Sequence, residues 1–517
     1  MASNNAISQP AAIRKIIVAA SLGTLIEWYD FCIYGSLATV LASQFYPHSN
    51  PTAALLATLA TFAVGFIARP FGALVFGRLG DQVGRKHAFV LTMIIMGGST
   101  FAIGLIPGYA QIGFAAPLLV LLLRVVQGLA LGGEFGGAAT FVAEHVPAGR
   151  RGLYTSWIQA TATAGLLLSL GVILLVQHGL DADQARSLEK FNAWGWRIPF
   201  LLSVILVAFS VYVRRKLQES PVFERLKTEG RLSANPLAES FGRKANLKLV
   251  LLALFGATMG QGVIFYAGQF YTQVFLQDTC QLDFDQAKTM LLLAILVAMP
   301  FFILFGAWSD KIGRKWIMLG GMVLAIVTYP FLFRELLAIP GTQGRAEFTM
   351  QKEIVSTVAF IGKTKDILHT SNTISHYDGG LTVTQSSTDT VYASGKAPVT
   401  KPVVTVSHSV SGVDYWKMVG ILFLLVFYIA MVYGPIAAFL VELFPAHIRY
   451  TSISLPYHIG NGIFGALTPF VATLVVARHP GDPLAGLWYP MGVAAVCVII
   501  GAIFIPNRSQ NAGFERG

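Results

Sequence analysis

The sequence predicts an all-α polytopic membrane protein with 12 transmembrane helices, arranged as two six-helix pseudo-symmetric halves. Composition is the first observation behind this: 54% of the 517 residues are hydrophobic and only 12% are charged, against roughly 25% charged in soluble domains. The second is the length of the apolar runs, which suits membrane-spanning helices and lacks the short alternating pattern of barrel strands. The third is a loop motif that occurs twice, at corresponding places. A mean hydropathy of +0.62 fits the same class.

The first apolar run gives a helix near 17–41. It holds Glu27 and Asp30 and has no small-residue cleavage site before it continues, so it is expected to stay as a helix and not to be removed as a signal peptide. Runs bounded by turn residues then give helices near 53–77, 87–106, 115–144, 152–177 and 198–213, completing a first half, 1–213. A basic linker, 214–247, leads into a second half, 248–517. Its helices fall near 248–277, 288–308, 315–333, 415–443, 452–477 and 487–505.

Charge placement supplies the topology. Arg14, Lys15, Arg78, Arg85, Lys86, Arg150, Arg151, the linker, Lys311, Arg314, Lys315 and Arg449 fall on one side, whereas the loops 43–52 and 107–116 have no Lys or Arg. By the positive-inside rule both termini are expected in the cytoplasm, in a cell inner membrane. The net charge of +11, which in a soluble chain would suggest nucleic acid, reads here as membrane orientation. Cys32, Cys280 and Cys497 lie in or beside apolar segments, without metal-like spacing, and are expected to be packing residues.

Phe76-Gly-Arg-Leu-Gly-Asp81-Gln-Val-Gly84-Arg85-Lys86 recurs as Phe305-Gly-Ala-Trp-Ser-Asp310-Lys-Ile-Gly313-Arg314-Lys315, an offset of 229 residues. Phe141, Glu144, Pro147 and Arg151 recur as Phe439, Glu442, Pro445 and Arg449, an offset of 298, so the second half carries 69 extra residues between its motifs. They fall in 335–414, which topology places outside. The segment is rich in Ser, Thr, Val and Gly and alternates like a strand in places, so it is either a small β-rich appendage or a polar loop. Its histidines, His369, His376 and His408, are too scattered to read as a metal site.

The repeated loop lies between helices 2 and 3 and between helices 8 and 9. Gly77 and Gly84 suit a tight turn, Asp81 can cap the exposed N–H groups of a neighbouring helix, and Arg85 can hold the positive side of a latch. The doubled motif resembles the loop signature of the major facilitator superfamily over nearly the whole chain apart from the insert. That resemblance implies alternating access by two rocking halves, with Asp81, Arg85, Gly77, Asp310, Arg314 and Gly306 as gate residues. Glu144, Arg151, Glu442 and Arg449 are grouped with them.

In helix 1, Glu27 and Asp30 are three residues apart and share a face with Tyr34. They lie about 15–20 Å into the bilayer at the helical rise, where a carboxylate must be paired, protonated or facing water. Helix 4 presents Arg124 and Gln127, then Glu134 seven residues after Gln127, along a Gly128/Gly132/Gly136 seam that allows close helix contact. These features, with Ala68-Arg69-Pro70-Phe71-Gly72, resemble the metabolite:proton symporter family, whose members carry citrate, 2-oxoglutarate, shikimate and other carboxylates, or proline and betaine. Carried over, the resemblance makes Asp30, Glu27 and Glu134 the proton-coupling candidates and Arg124 a substrate or coupling cation, with Arg69 structural.

Helix 7 has Gln261, Phe265, Gln269 and Gln273 at four-residue spacing, with Tyr266 and Tyr271 beside them, and helices 10 and 11 add Tyr428, Tyr433, Tyr457, His458 and Asn461. The expected substrate-binding set is Arg124, Gln127, Tyr34, Gln261, Tyr266, Gln269, Tyr457 and Asn461. The expected function is proton-coupled import of a small organic acid, with zwitterionic solutes such as proline or betaine as the alternative and a channel or non-transporting receptor as a different class. No nucleophile, metal set or phosphate loop points to an enzyme or an ATP-driven pump. Expected partners are the small-molecule substrate, protons and the lipid bilayer, with no nucleic acid, no cofactor beyond the coupling proton, and a monomeric state. The stretch after 506 has no heptads, unlike the coiled-coil tail of the family's osmosensing members, which argues against osmosensing.

Overall fold

The structure, a computed structural model, describes residues 10–47, 51–348, 352–361, 366–391 and 403–506. The stretch after 506 lies outside the described residues. Buried from water, each backbone N–H and C=O must find its partner within its own segment, and the apolar runs do so as helices. In chain order these are α1 Pro10–Ser36, α2 Pro51–Gln82, α3 Arg85–Leu105, α4 Ala115–His145, α5 Arg151–Gly179 and α6 Arg197–Arg215. The second half has α7 Lys244–Thr279, α8 Phe284–Ile312, α9 Arg314–Ala338, α10 Gly412–Leu443, α11 Ala446–Arg478 and α12 Trp488–Phe504. Among the described residues, 11 of these helices are long and apolar enough to cross a membrane, and α5 adds a shorter apolar stretch, Leu167–Gly179.

Two helices depart from regular geometry where the sequence pattern gave no warning. α7 contains wide turns with i→i+5 hydrogen bonds at Leu254–Thr258, Ala267–Tyr271 and Phe275–Thr279, and α11 contains one at Gly460–Gly465, just after Pro456. Each wide turn advances the helix phase, so a four-residue stripe does not stay on one face. Between α2 and α4 the small-residue seam works as expected: a Cβ at Gly128 would meet the Gly65 carbonyl oxygen at 2.2 Å, and one at Gly132 the Arg69 carbonyl oxygen at 2.1 Å.

The inserted segment folds. Strands β1 Glu353–Ile361, β2 Asp366–Tyr377, β3 Leu381–Val391 and β4 Val403–Val410 form an antiparallel sheet in the order β1-β2-β3-β4, with Tyr377 opposite Leu381 and Leu381 opposite Val410. Its β4 edge is tied to the turn between α7 and α8: His408 donates its N–H to Gln281 O and accepts from Asp283 N, both at 2.7 Å. The Gln286 side chain pairs with both backbone groups of Val410, at 2.8 and 2.9 Å. The stretch between α9 and α10 is shorter than 335–414. α9 continues to Ala338, and Asp414 sits in the first turn of α10, where its charge suits the helix N-terminus and Arg345 pairs with it at 2.6 Å.

The sheet meets α8 at its start, and the second copy of the repeated loop lies at its end. The two features therefore mark opposite faces of the bundle, here termed the sheet face and the latch face. Both described chain ends lie on the latch face: Ile13 and Ile16 pack with Phe89, Phe141 and Val146, and Lys315 Nζ donates to Ala502 O and Ile505 O.

Candidate transport site and gates

On the latch face the two halves are locked by two quartets of the same composition. In the first, Asp81 at the end of α2 accepts from Tyr450 N at 3.2 Å and Thr451 N at 2.9 Å, capping α11 of the other half. Arg85 pairs with Asp81 at 3.0 Å and donates to Ala446 O at 2.6 Å. Glu144 pairs with Arg449 across the halves at 2.7 Å and lies 3.6 Å from Arg85. In the second, Asp310 at the end of α8 accepts from Gly152 N at 2.8 Å and Leu153 N at 2.9 Å, capping α5 of the first half. Arg314 pairs with Asp310 at 2.7 Å and with Glu442 at 3.0 Å, while Arg151 reaches Glu442 across the halves at 3.8 Å.

The second copy of the motif, with Trp308 and Ser309 where the first has Leu79 and Gly80, thus builds the same latch, because the contact uses backbone N–H groups and needs only the carboxylate and the helix terminus. Gly77 is helical and is not part of the turn. A Cβ there would stand 2.8 Å from Thr451 Cα, and one at Gly306 would stand 2.5 Å from the Gly152 oxygen. Both glycines let α2 and α8 approach the opposite half. Gly84 and Gly313, at φ 139° and 99°, make the turns instead.

Beneath the latches a cavity lies between the halves. The first half contributes Glu27 and Trp28 from α1, Arg69 from α2, Phe135 from α4 and Gln159 from α5; the second contributes Phe265 and Tyr266 from α7, Tyr433 from α10, and Tyr457, His458 and Asn461 from α11. Phe135 and Tyr457 stack across the halves at 3.4 Å between ring centroids. Tyr433 donates to Asn461 at 2.7 Å, and Asn461 donates to Gln261 at 3.1 Å. Toward the sheet face a second cavity separates α1, α2 and α5 from α7 and α8; Phe31 borders both cavities. The halves are closed at the latch face and parted toward the sheet face.

Five expected members of the binding set do not line the cavity. Arg124 does not line the cavity: the residue is 3% exposed, and its guanidinium sits over the Tyr34 ring at 4.3 Å and the Phe62 ring at 5.1 Å. It donates to Gln127, Gln127 donates to Thr100 at 2.8 Å, and Thr100 donates to Asp30 at 2.8 Å. Arg124, Gln127 and Tyr34 therefore belong to a buried polar chain linking α4, α3 and α1, and the other Asp30 oxygen, Oδ1, has no hydrogen-bond partner among the described residues. Gln269 lines neither cavity because the wide turn at Ala267–Tyr271 rotates it out of phase with Phe265. Gln261 does not line the cavity wall but supports it through Asn461.

Glu134 is held in an ion pair. Arg214 donates to it at 2.6 Å and to Phe89 O at 2.6 Å, and Thr92 donates to its other oxygen at 3.0 Å. Arg214, expected to begin the basic linker, is instead 1% exposed inside the first half. The pairing spans 80 residues, and an arginine at the end of an apolar run reads from sequence as a flanking cation. Arg69, expected to be structural, faces the cavity beside Glu27 without pairing to it, and its Nε has no partner among the described residues. Its depth was legible, but its direction was not, because position along a helix does not say which neighbour the side chain faces.

Comparisons with known proteins agree with this architecture. A family model described as sugar (and other) transporter matches residues 15–245. The chain is 32% identical over 503 residues to the inner membrane metabolite transport protein YhjE of Escherichia coli (strain K12), covering 96% of this chain and 95% of that protein. It is 36% identical over 332 residues to the proline/betaine transporter of Salmonella typhimurium, covering 62% of this chain and 64% of the relative. The proton:xylose symporter XylE bound to 6-bromo-6-deoxy-D-glucose is similar in fold, with a TM-score of 0.63 over 96% of both chains at 17% identity.

Proposed function

This chain belongs to the major facilitator superfamily and, within it, to the metabolite:proton symporter family, and on that premise we propose that it imports a small organic acid together with a proton by alternating access. It is a transporter and not an enzyme. The observation that carries the reading is the polar cavity between two halves that are latched at one face and parted at the other. The basic loops crowd the latch face, so that face is cytoplasmic, both termini are inside and the sheet stands outside, in an inner membrane. The working unit is a monomer with no cofactor other than the proton.

In this reading Arg69 receives the solute carboxylate in the cavity, with Glu27 close by. Asp30 carries the proton: ionised, it accepts from Thr100 and so anchors the chain that holds Arg124; protonated, it no longer anchors that chain as a charge, and α1 can shift against α3 and α4. Glu134, paired with Arg214, fixes α4 to α6. Protonation and solute binding must each favour one state of the gate to drive the cycle, since equal affinity for both states would move nothing.

One observation favours a zwitterion as the second reading. Glu27 stands near Arg69, and the rings of Trp28, Phe265, Tyr266, Tyr433 and Tyr457 surround them, a setting that suits a quaternary ammonium through cation–π attraction. Uptake by proteoliposomes with an inward pH gradient, tested with succinate, 2-oxoglutarate, proline and glycine betaine, separates the readings. Concentrative uptake of a dicarboxylate supports the organic acid, concentrative uptake of betaine or proline supports the zwitterion, and equilibration without accumulation would identify a channel.

A further inference from the structure

The cavity toward the sheet face has a charge pattern that the transport cycle above leaves unused. Its walls are largely apolar, from Phe31, Phe62, Leu170, Leu291 and their neighbours, and Lys288 is the one charged side chain that lines it among the described residues. Lys288 Nζ rests 3.6 Å from the Phe284 ring centroid, so its stem is laid along the wall. Gln273 of α7 supplies an amide on the same wall. The nearest acids, Asp283 at the N-cap of α8 and Asp285 in its first turn, do not line the cavity; Asp283 is occupied in capping Gln286 N at 3.0 Å, and Asp285 acts on Lys288 from outside the lining.

Lys288 is also held in place. It lies two residues beyond Gln286, whose amide is fixed to both backbone groups of Val410 in β4, and the preceding turn is bonded to His408. The inserted sheet therefore clamps the first turns of α8 that carry the lysine. As the one charged side chain lining a cleft with largely apolar walls, Lys288 concentrates anions ahead of the inner site.

We propose that this cavity is an anion-selecting antechamber, in which Lys288 and Gln273 take up the carboxylate of the solute before it passes Phe31 to Arg69. The proposal rests on the transport reading for its solute, but its test does not, because Cys32 lines the same cavity and reports on the charge there.

In a Cys280→Ala, Cys497→Ala background, Cys32 would be labelled with anionic 2-sulfonatoethyl methanethiosulfonate and with cationic 2-(trimethylammonium)ethyl methanethiosulfonate; in both cases the thiolate forms a mixed disulfide and methanesulfinate leaves. A cation lining the same cleft favours the anionic reagent and disfavours the cationic one, so labelling by the anionic reagent is expected to be about tenfold or more faster after correction for intrinsic reactivity. Lys288→Gln is expected to bring the ratio near unity, and Lys288→Glu to invert it. A ratio near unity in the parent, a ratio unmoved by both substitutions, or failure of either reagent to reach Cys32 would overturn the proposal. Failure of the uptake panel would overturn the transport reading and leave the labelling ratio untouched.

Discussion

At the scale of single residues, a charge inside the membrane is defined by what it meets on neighbouring helices. Glu27, Asp30, Arg124 and Glu134 stood out because a charge within an apolar run demands a partner or water. Their partners come from other helices: Thr100 for Asp30, Arg214 for Glu134, and the rings of Tyr34 and Phe62 for Arg124. Arg69 shows the converse, since its depth suggested a structural role and its direction gives it the cavity. The assignment of the proton to Asp30 has a direct consequence. Asp30→Asn keeps a hydrogen-bonding side chain at the position while removing its titration, so solute exchange across the membrane should persist while pH-driven accumulation falls by about tenfold or more, as expected for loss of the proton carrier. Counterflow and gradient-driven uptake measured on the same proteoliposomes check this, and full gradient-driven accumulation by the variant would take Asp30 out of the coupling role.

At the scale of elements, the latch was the most legible feature, because its chemistry is local. A carboxylate at one helix end and free N–H groups at another suffice, and the chain repeats the pattern 229 residues later. The wide turns of α7 were not legible, since an i→i+5 turn leaves no mark on residue type, and they displaced Gln269 from the wall where a regular helix would have put it. The latch also carries an expected energetic effect. Asp81→Asn removes the charge from two hydrogen bonds to Tyr450 N and Thr451 N, which should cost the latched state about 1–3 kcal/mol. That is a shift of about 5- to 150-fold toward opening at this face. Spin labels at Arg78 and Lys311, exposed on opposite halves, should show a longer distance population in Asp81→Asn and in Asp310→Asn, and a larger one in the double variant. Unchanged distance distributions in all three would mean that the carboxylates do not hold the gate.

At the scale of the whole molecule, the two halves are alike in their gates and unlike in their charge. Both quartets use Asp, Arg and Glu from one half with an Arg from the other. The buried chain from Asp30 to Arg124 belongs to the first half alone, and the second half meets the cavity with aromatic rings and an amide pair. The division was visible in the sequence as unequal repeat offsets and one-sided intramembrane charge, whereas the placement of the sheet on the α7–α8 turn was not, because it rests on backbone pairing of His408 with Gln281 and Asp283. The central claim is that one movement of the halves carries solute and proton together. Proteoliposomes loaded with a pH-sensitive dye and given a transported solute from outside, without an imposed pH gradient, test it most directly. With solute and proton moving together, the lumen should acidify when solute is added, and the acidification should disappear in Asp30→Asn; solute uptake with no change in internal pH would contradict symport.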